Sequence, residues 1–147
     1  MHPLQTGLLL VFTITTLVIS IKGFYQSAQE KNALGDTPAL FWLGIFVWGD
    51  ATVVGPFWTL AALSSLLLQD WVLFLLLVST FWLVRSGGEI LYWFLQQFST
   101  IERNPPKKMR GFTLFHNDSV WFVYQLFWQC VTIVTLITTA YLFNQWL

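Results

Sequence analysis

Charge is what this chain has least of. Only 10% of its 147 residues are Asp, Glu, Lys or Arg, where soluble domains carry about 25%. Seven basic and seven acidic side chains cancel to a net charge of zero. With no basic face and no recognised motif, a nucleic-acid partner is not expected. Cysteine occurs once, at Cys130, which excludes an intrachain disulfide and any thiolate cluster; the residue reads as a small buried hydrophobe. Histidine occurs twice, at His2 and His116. His116 with Asp118 lacks a third ligand at a credible spacing, so no metal is expected. The two histidines fall at opposite membrane faces, which removes bis-histidine haem ligation within one chain. No nucleophile triad, phosphate loop or nucleotide fingerprint is present, and no cofactor is expected.

Apolar residues are what the chain has instead. They make up 56% of it, with nine Trp and fourteen Phe. A soluble domain of this length could not hide that much apolar surface, whereas lipid accepts it as solvent. The composition and the runs predict an all-α membrane protein. One integral domain over 1–147 would form a four-transmembrane-helix bundle, with helices near 5–25, 38–68, 71–99 and 117–145. The first run has no Lys or Arg before it, and Lys22 follows it, the reverse of a secretory signal; a retained helix is expected.

Several local features refine that outline. Thr13, Thr16 and Ser20 share one helix face and are expected to pack against a neighbour. Gly35-Asp36-Thr37-Pro38 resembles a helix start. A helix over 38–68 would be about 45 Å long, more than a hydrocarbon core of about 30 Å requires. It is therefore expected to be kinked or broken at Gly55-Pro56, because Pro56 has no N–H for the Thr52 carbonyl. Gln69-Asp70 is short enough to make helices 2 and 3 an antiparallel hairpin. Pro105-Pro106 stops helix, and Asn117-Asp118-Ser119 caps the last one.

Four crossings put both termini and the 69–70 turn on one side. Lys22, Lys31, Arg103, Lys107, Lys108 and Arg110 all lie on the other. This bias predicts that loops 26–37 and 100–117 are cytoplasmic and the termini outside, in a plasma (inner) membrane. The basic 103–110 stretch reads as a solvated turn drawn to anionic lipid.

The seventh basic residue, Arg85, sits inside the run from Trp71 to Phe98, four residues before Glu89. A charge at mid-bilayer costs on the order of 3 kcal/mol by insertion scales. Helical rise puts Asp50, Arg85, Glu89, Gln125 and Gln129 within one layer, roughly 12–21 Å from the cytoplasmic ends. Trp82, Arg85, Glu89, Tyr92 or Trp93, and Gln96 share one face of helix 3. Asp118, Trp121 or Phe122, Gln125, Gln129 and Thr132 share one face of helix 4. Both stripes should turn inward around a polar, aromatic-walled pocket, with Gln96, His116 and Asp118 at its cytoplasmic mouth.

Asp50, Arg85 and Glu89 sum to minus one if all ionise, and arginine keeps its proton. One carboxyl is then protonated, or a cationic ligand shares the site. Three functions compete on this reading. The first is binding or transport of a small solute or ion, proton-coupled, and four helices are few for a carrier, which favours a homodimer. The second is a membrane-embedded enzyme using a carboxyl as acid or base on a lipid-like substrate. The third is a non-catalytic subunit or assembly factor, in which Arg85 and Glu89 pin helices together and the glutamines are interhelical glue.

Overall fold

The computed structural model describes residues 1–100, 104–109, 112–115 and 117–147. Four helices among these are long and apolar enough to cross a membrane. They are α1 (Pro3–Ala28), α2 (Trp48–Leu67), α3 (Trp71–Phe98) and α5 (Ser119–Trp146), with a single helical turn, α4, at Phe112–Phe115. Two 3-10 turns, Pro38–Leu43 and Pro106–Lys108, lie between them. The helical spans bear out the integral-membrane reading at this level. Their outward surfaces carry large apolar side chains, among them Leu8, Val11, Ile14 and Ile133, a distribution suited to lipid and not to water.

Contacts divide the chain into two compact units, Met1–Leu77 and Val78–Leu147. In the first, α1 packs against α2. His2 starts α1 by accepting from the Leu4 N–H at 3.3 Å, while Gln5 Oε1 accepts from the His2 N–H at 2.8 Å, the reciprocal arrangement of a capping box. The buried face of α1 is Leu9, Thr13, Thr16, Ser20 and Gly23. The facing stripe of α2 includes Ala51, Gly55, Thr59 and Ala62. Small residues let two backbones approach where apolar burial offers no drive between helices in lipid.

A Cβ built on Gly55 would stand 2.9 Å from the Ser20 Cα, so this glycine is required by the approach. Thr16 Oγ1 and Thr59 Oγ1 meet across the seam at 3.0 Å. Replacing Thr16 by Val is expected to lower stability by about 0.6 kcal/mol, a typical interhelical hydrogen bond in lipid. A Thr16→Val, Thr59→Val double-mutant cycle in detergent checks this, and a coupling near zero would make the contact incidental.

The structure departs from the single helix expected over 38–68. The chain leaves helical geometry at Gly44–Val47 and re-enters it at Trp48, and α2 passes through Gly55 and Pro56 as helix. The cause lies in the bonds of 36–50. Asp36 and Val47 form an isolated antiparallel bridge, and the Trp48 and Gly49 N–H groups donate to Gly35 and Ala33 carbonyls at 3.1 and 2.7 Å. The segment thus doubles back before α2 begins. Asp50 is the third residue of α2, not a residue deep within a long helix.

In the second unit, hydroxyls and amides join α3 to α5. Ser79 Oγ meets Thr139 Oγ1 at 2.7 Å, Thr132 Oγ1 donates to Ser86 Oγ at 2.8 Å, and Gln97 Nε2 donates to Gln125 Oε1 at 2.6 Å. Trp93, Val120 and Trp121 form a buried cluster, with Tyr92, Met109, Tyr124 and Trp128 packed on it. Cys130 is exposed on α5, contrary to its expected burial. In lipid an exposed thiol of this size is apolar enough to need no shelter.

Candidate functional site

The polar residues of α3 build the site. One turn separates Arg85 from Glu89, so their side chains meet along the helix surface. Arg85 Nη2 lies 3.4 Å from Glu89 Oε1, and the side chains keep 28% and 16% of their exposure. Trp93, one turn further on, donates its Nε1–H to Glu89 Oε2 at 3.1 Å. The Glu89 carboxylate thus holds a guanidinium with one oxygen and an indole with the other. Aromatic rings surround this row: Trp93 lies 4.9 Å from Tyr124, and Trp82 stacks on Trp128 at 6.3 Å.

Asp50, Arg85 and Glu89 are half-buried and not enclosed. That corrects the expectation of a buried Asp-Arg-Glu pocket. A pair four residues apart lies along a helix, and closing it requires no burial. Asp50 belongs to the first unit. Its Oδ2 accepts from the Phe46 and Val47 N–H groups at 2.9 and 3.3 Å; Val47 is the N-cap of α2, whose N–H has no acceptor within the helix. An Asp in this first turn also suits the positive end of the α2 dipole.

The other expected residues divide. Gln125 is tied to α3, but through Gln97 and not through its neighbour Gln96 on the expected face. Gln96 is buried at 4% exposure. Gln129 is half-buried on α5. Trp121 is buried, and its Nε1–H donates to the Asn104 carbonyl at 2.9 Å, while the Asn104 side-chain amide donates to the Tyr92 hydroxyl. Asn104 had no periodicity to flag it, since it lies in a connection. Asp118 is exposed and makes no side-chain cap; Asn117 Oδ1 accepts from the Ser119 N–H at 3.0 Å in its place. His116, Arg103 and Arg110 lie outside the described residues. Among the described residues no group of three or more His, Cys, Asp or Glu side chains is placed to hold a metal ion.

A guanidinium beside a carboxylate, both partly accessible and set in aromatic rings, presents N–H donors and an anionic acceptor in one patch. Comparison of the chain with models of known families, with curated proteins and with solved structures finds no match in any of the three.

Proposed function

We propose that the chain binds a small polar solute or ion within the membrane and transports it with proton coupling. Arg85 and Glu89 are the centre of the site, and Trp82, Tyr92 and Trp93 are its aromatic wall. The observation that carries this reading is the Arg85–Glu89 pair, partly exposed near the middle of the 28-residue α3. Charges at that depth are costly and are kept where they meet a ligand, a proton or water. Hydroxyl and amide pairs join α3 to α5 at three levels besides the charged pair, which supports a role for that pair other than fastening. Asp50 enters as a structural acceptor rather than as the proton carrier, while Gln125 and Gln129 flank the site on α5.

The same reading places the chain in a plasma (inner) membrane with its termini outside and loops 26–37 and 100–117 cytoplasmic, from the Lys and Arg bias. It includes a homodimer, since four helices are few for a carrier. A bend at Gly55-Pro56 belongs to it as well, because Pro56 leaves the Thr52 carbonyl without its helical donor.

The test is uptake by vesicles holding a trapped pH-sensitive dye, challenged with a panel of small solutes. Wild-type protein is expected to give solute-driven acidification. Glu89→Gln is expected to lose at least tenfold of it while melting within a few degrees of wild type in detergent. Uptake at the wild-type rate in Glu89→Gln would remove the proton-carrying role. A much lower melting point would make the pair a fastener and favour the accessory-subunit reading. Turnover of a lipid lost in the same variant would favour the enzyme.

A further inference from the structure

The segment between Asp36 and Trp48 carries no charged side chain, and the bonds at its base turn it back on itself. The Thr37 N–H donates to the Phe46 carbonyl at 2.9 Å. Thr37 Oγ1 donates to the Ile45 carbonyl at 3.0 Å. The tip is closed by Gly44, whose φ of 73° suits a residue without Cβ, and whose N–H donates to the Phe41 carbonyl at 2.9 Å.

Two independent contacts measure how far this tip reaches along the α1–α2 pair. Lys22 Nζ lies 4.9 Å from the Trp48 ring, a cation and an indole of the kind that mark a membrane boundary. Phe12 is ten residues further along α1 from Lys22, and its ring is 6.4 Å from that of Trp42. Trp58 is ten residues further along α2 from Trp48, and its Nε1–H donates to the Leu43 carbonyl at 2.9 Å. At 1.5 Å per residue both contacts set the tip about 10–15 Å inside the Lys22–Trp48 level, well into a hydrocarbon core of about 30 Å.

We propose that residues 37–46 form a re-entrant hairpin that enters the bilayer from the side of the 29–36 connection and returns to it, presenting Phe41 and Trp42 to the acyl chains. Irregular backbone is tolerated at membrane depth only where its polar groups are satisfied by protein. Here the Leu40 and Ile45 N–H groups donate to the Thr37 and Leu40 carbonyls at 2.9 and 3.4 Å, and the Trp42 indole donates to the Ala39 carbonyl at 3.0 Å. Asp50 takes the Phe46 and Val47 N–H groups. Leu43 and Ile45 are buried against the protein, while Phe41 and Trp42 keep 61% and 50% exposure. That is the split between a protein-facing and a lipid-facing side. A loop lying flat on the membrane surface would not bring Leu43 to Trp58.

The inference rests on α1 and α2 crossing the membrane, and the experiment separates the two. Single cysteines are placed at Phe41, Trp42, Ile14 and Asn32 in a Cys130→Ser background. Each is labelled with an environment-sensitive fluorophore in phosphatidylcholine–phosphatidylglycerol vesicles. Lipids with a nitroxide at mid-chain are expected to quench positions 41 and 42 as strongly as position 14. An impermeant maleimide should modify positions 41 and 42 at least tenfold more slowly than position 32. If 41 and 42 behave like 32 while 14 is quenched, the hairpin is overturned and the spans stand. If 14 also behaves like 32, the spanning helices fall and the hairpin with them.

Discussion

Gly55→Leu is expected to separate α1 from α2 and to lower the stability of the protein by at least about 3 kcal/mol, the upper range for overpacking a closed contact. The seam leaves no room for a side chain at this position, because even a Cβ would meet the Ser20 Cα and Cβ at 2.9 Å. Both atoms belong to a helix that can move only as a body. Moving it stretches the Thr16–Thr59 contact one turn away, so clash and lost hydrogen bond add. Gly55→Ala is milder: the same clash is offset by about 1 kcal/mol of helix propensity gained over glycine. Gly87 provides the contrast, since a Cβ there meets nothing within 4 Å. Gly87→Ala is therefore expected to stabilise by about 0.5–1 kcal/mol. Melting the three variants in mild detergent checks the series. A Gly55→Leu protein as stable as wild type would mean that α1 and α2 do not pack through this face.

Asp50→Ala is the second large effect. Its carboxylate oxygen receives two backbone N–H groups, from Phe46 and Val47. Removing it takes away the acceptor that both groups share where the chain turns from the 37–46 segment into α2. An unmet buried donor costs about 1–3 kcal/mol, and an ordinary N-cap loss at a wet surface costs about 1 kcal/mol. Asp50 is half-buried, so the expected loss lies between these limits, about 2–4 kcal/mol for the pair of donors. Asp50→Asn keeps an oxygen in place and is expected to lose less than about 1 kcal/mol, the difference between a charged and a neutral acceptor. Melting curves and amide exchange at Phe46 and Val47 read both. If Asp50→Ala is as stable as wild type while solute-driven proton uptake disappears, the carboxylate serves transport and not the fold.

The two glutamines at 96 and 97 show where pattern reading stops. Helical spacing selects the face that Gln96 shares with Arg85 and Glu89, and that face does turn inward at its end, since Gln96 is buried. Gln97 lies one residue off the stripe, yet it reaches Gln125. A long amide can swing across most of the 100° between successive residues, and spacing alone carries no information on that swing. The i, i+4 pairing of Arg85 and Glu89 was legible for the opposite reason: the helix itself brings the two groups together.

The stretch 38–47 is the clearest case of the same limit. Proline, then leucine, phenylalanine, tryptophan and isoleucine without a charge read as the first turns of a membrane helix, because hydropathy measures tolerance of lipid and not backbone conformation. A re-entrant hairpin satisfies the same measure. What separates them is the ladder between Thr37 and Phe46, the left-handed Gly44, and the acceptors supplied by Asp50 and Trp58's bond to Leu43. The Thr37–Phe46 and Leu43–Trp58 pairings join residues distant along a helix, and hydropathy carries no information on them.

The number of apolar spans, the small-residue face of α1 and the local ion pair of α3 were therefore determined by the order of residues alone. Each depends on hydropathy or on a helical period, properties of a chain and its immediate neighbours. The approach of Gly55 to Ser20 and the fastening of α3 by Ser79, Ser86 and Gln97 were decided only in three dimensions. In lipid the apolar side chains gain little by choosing one neighbour over another. Close backbone contact and the pairing of a few polar groups then select the partner, and neither can be read before the chain has folded.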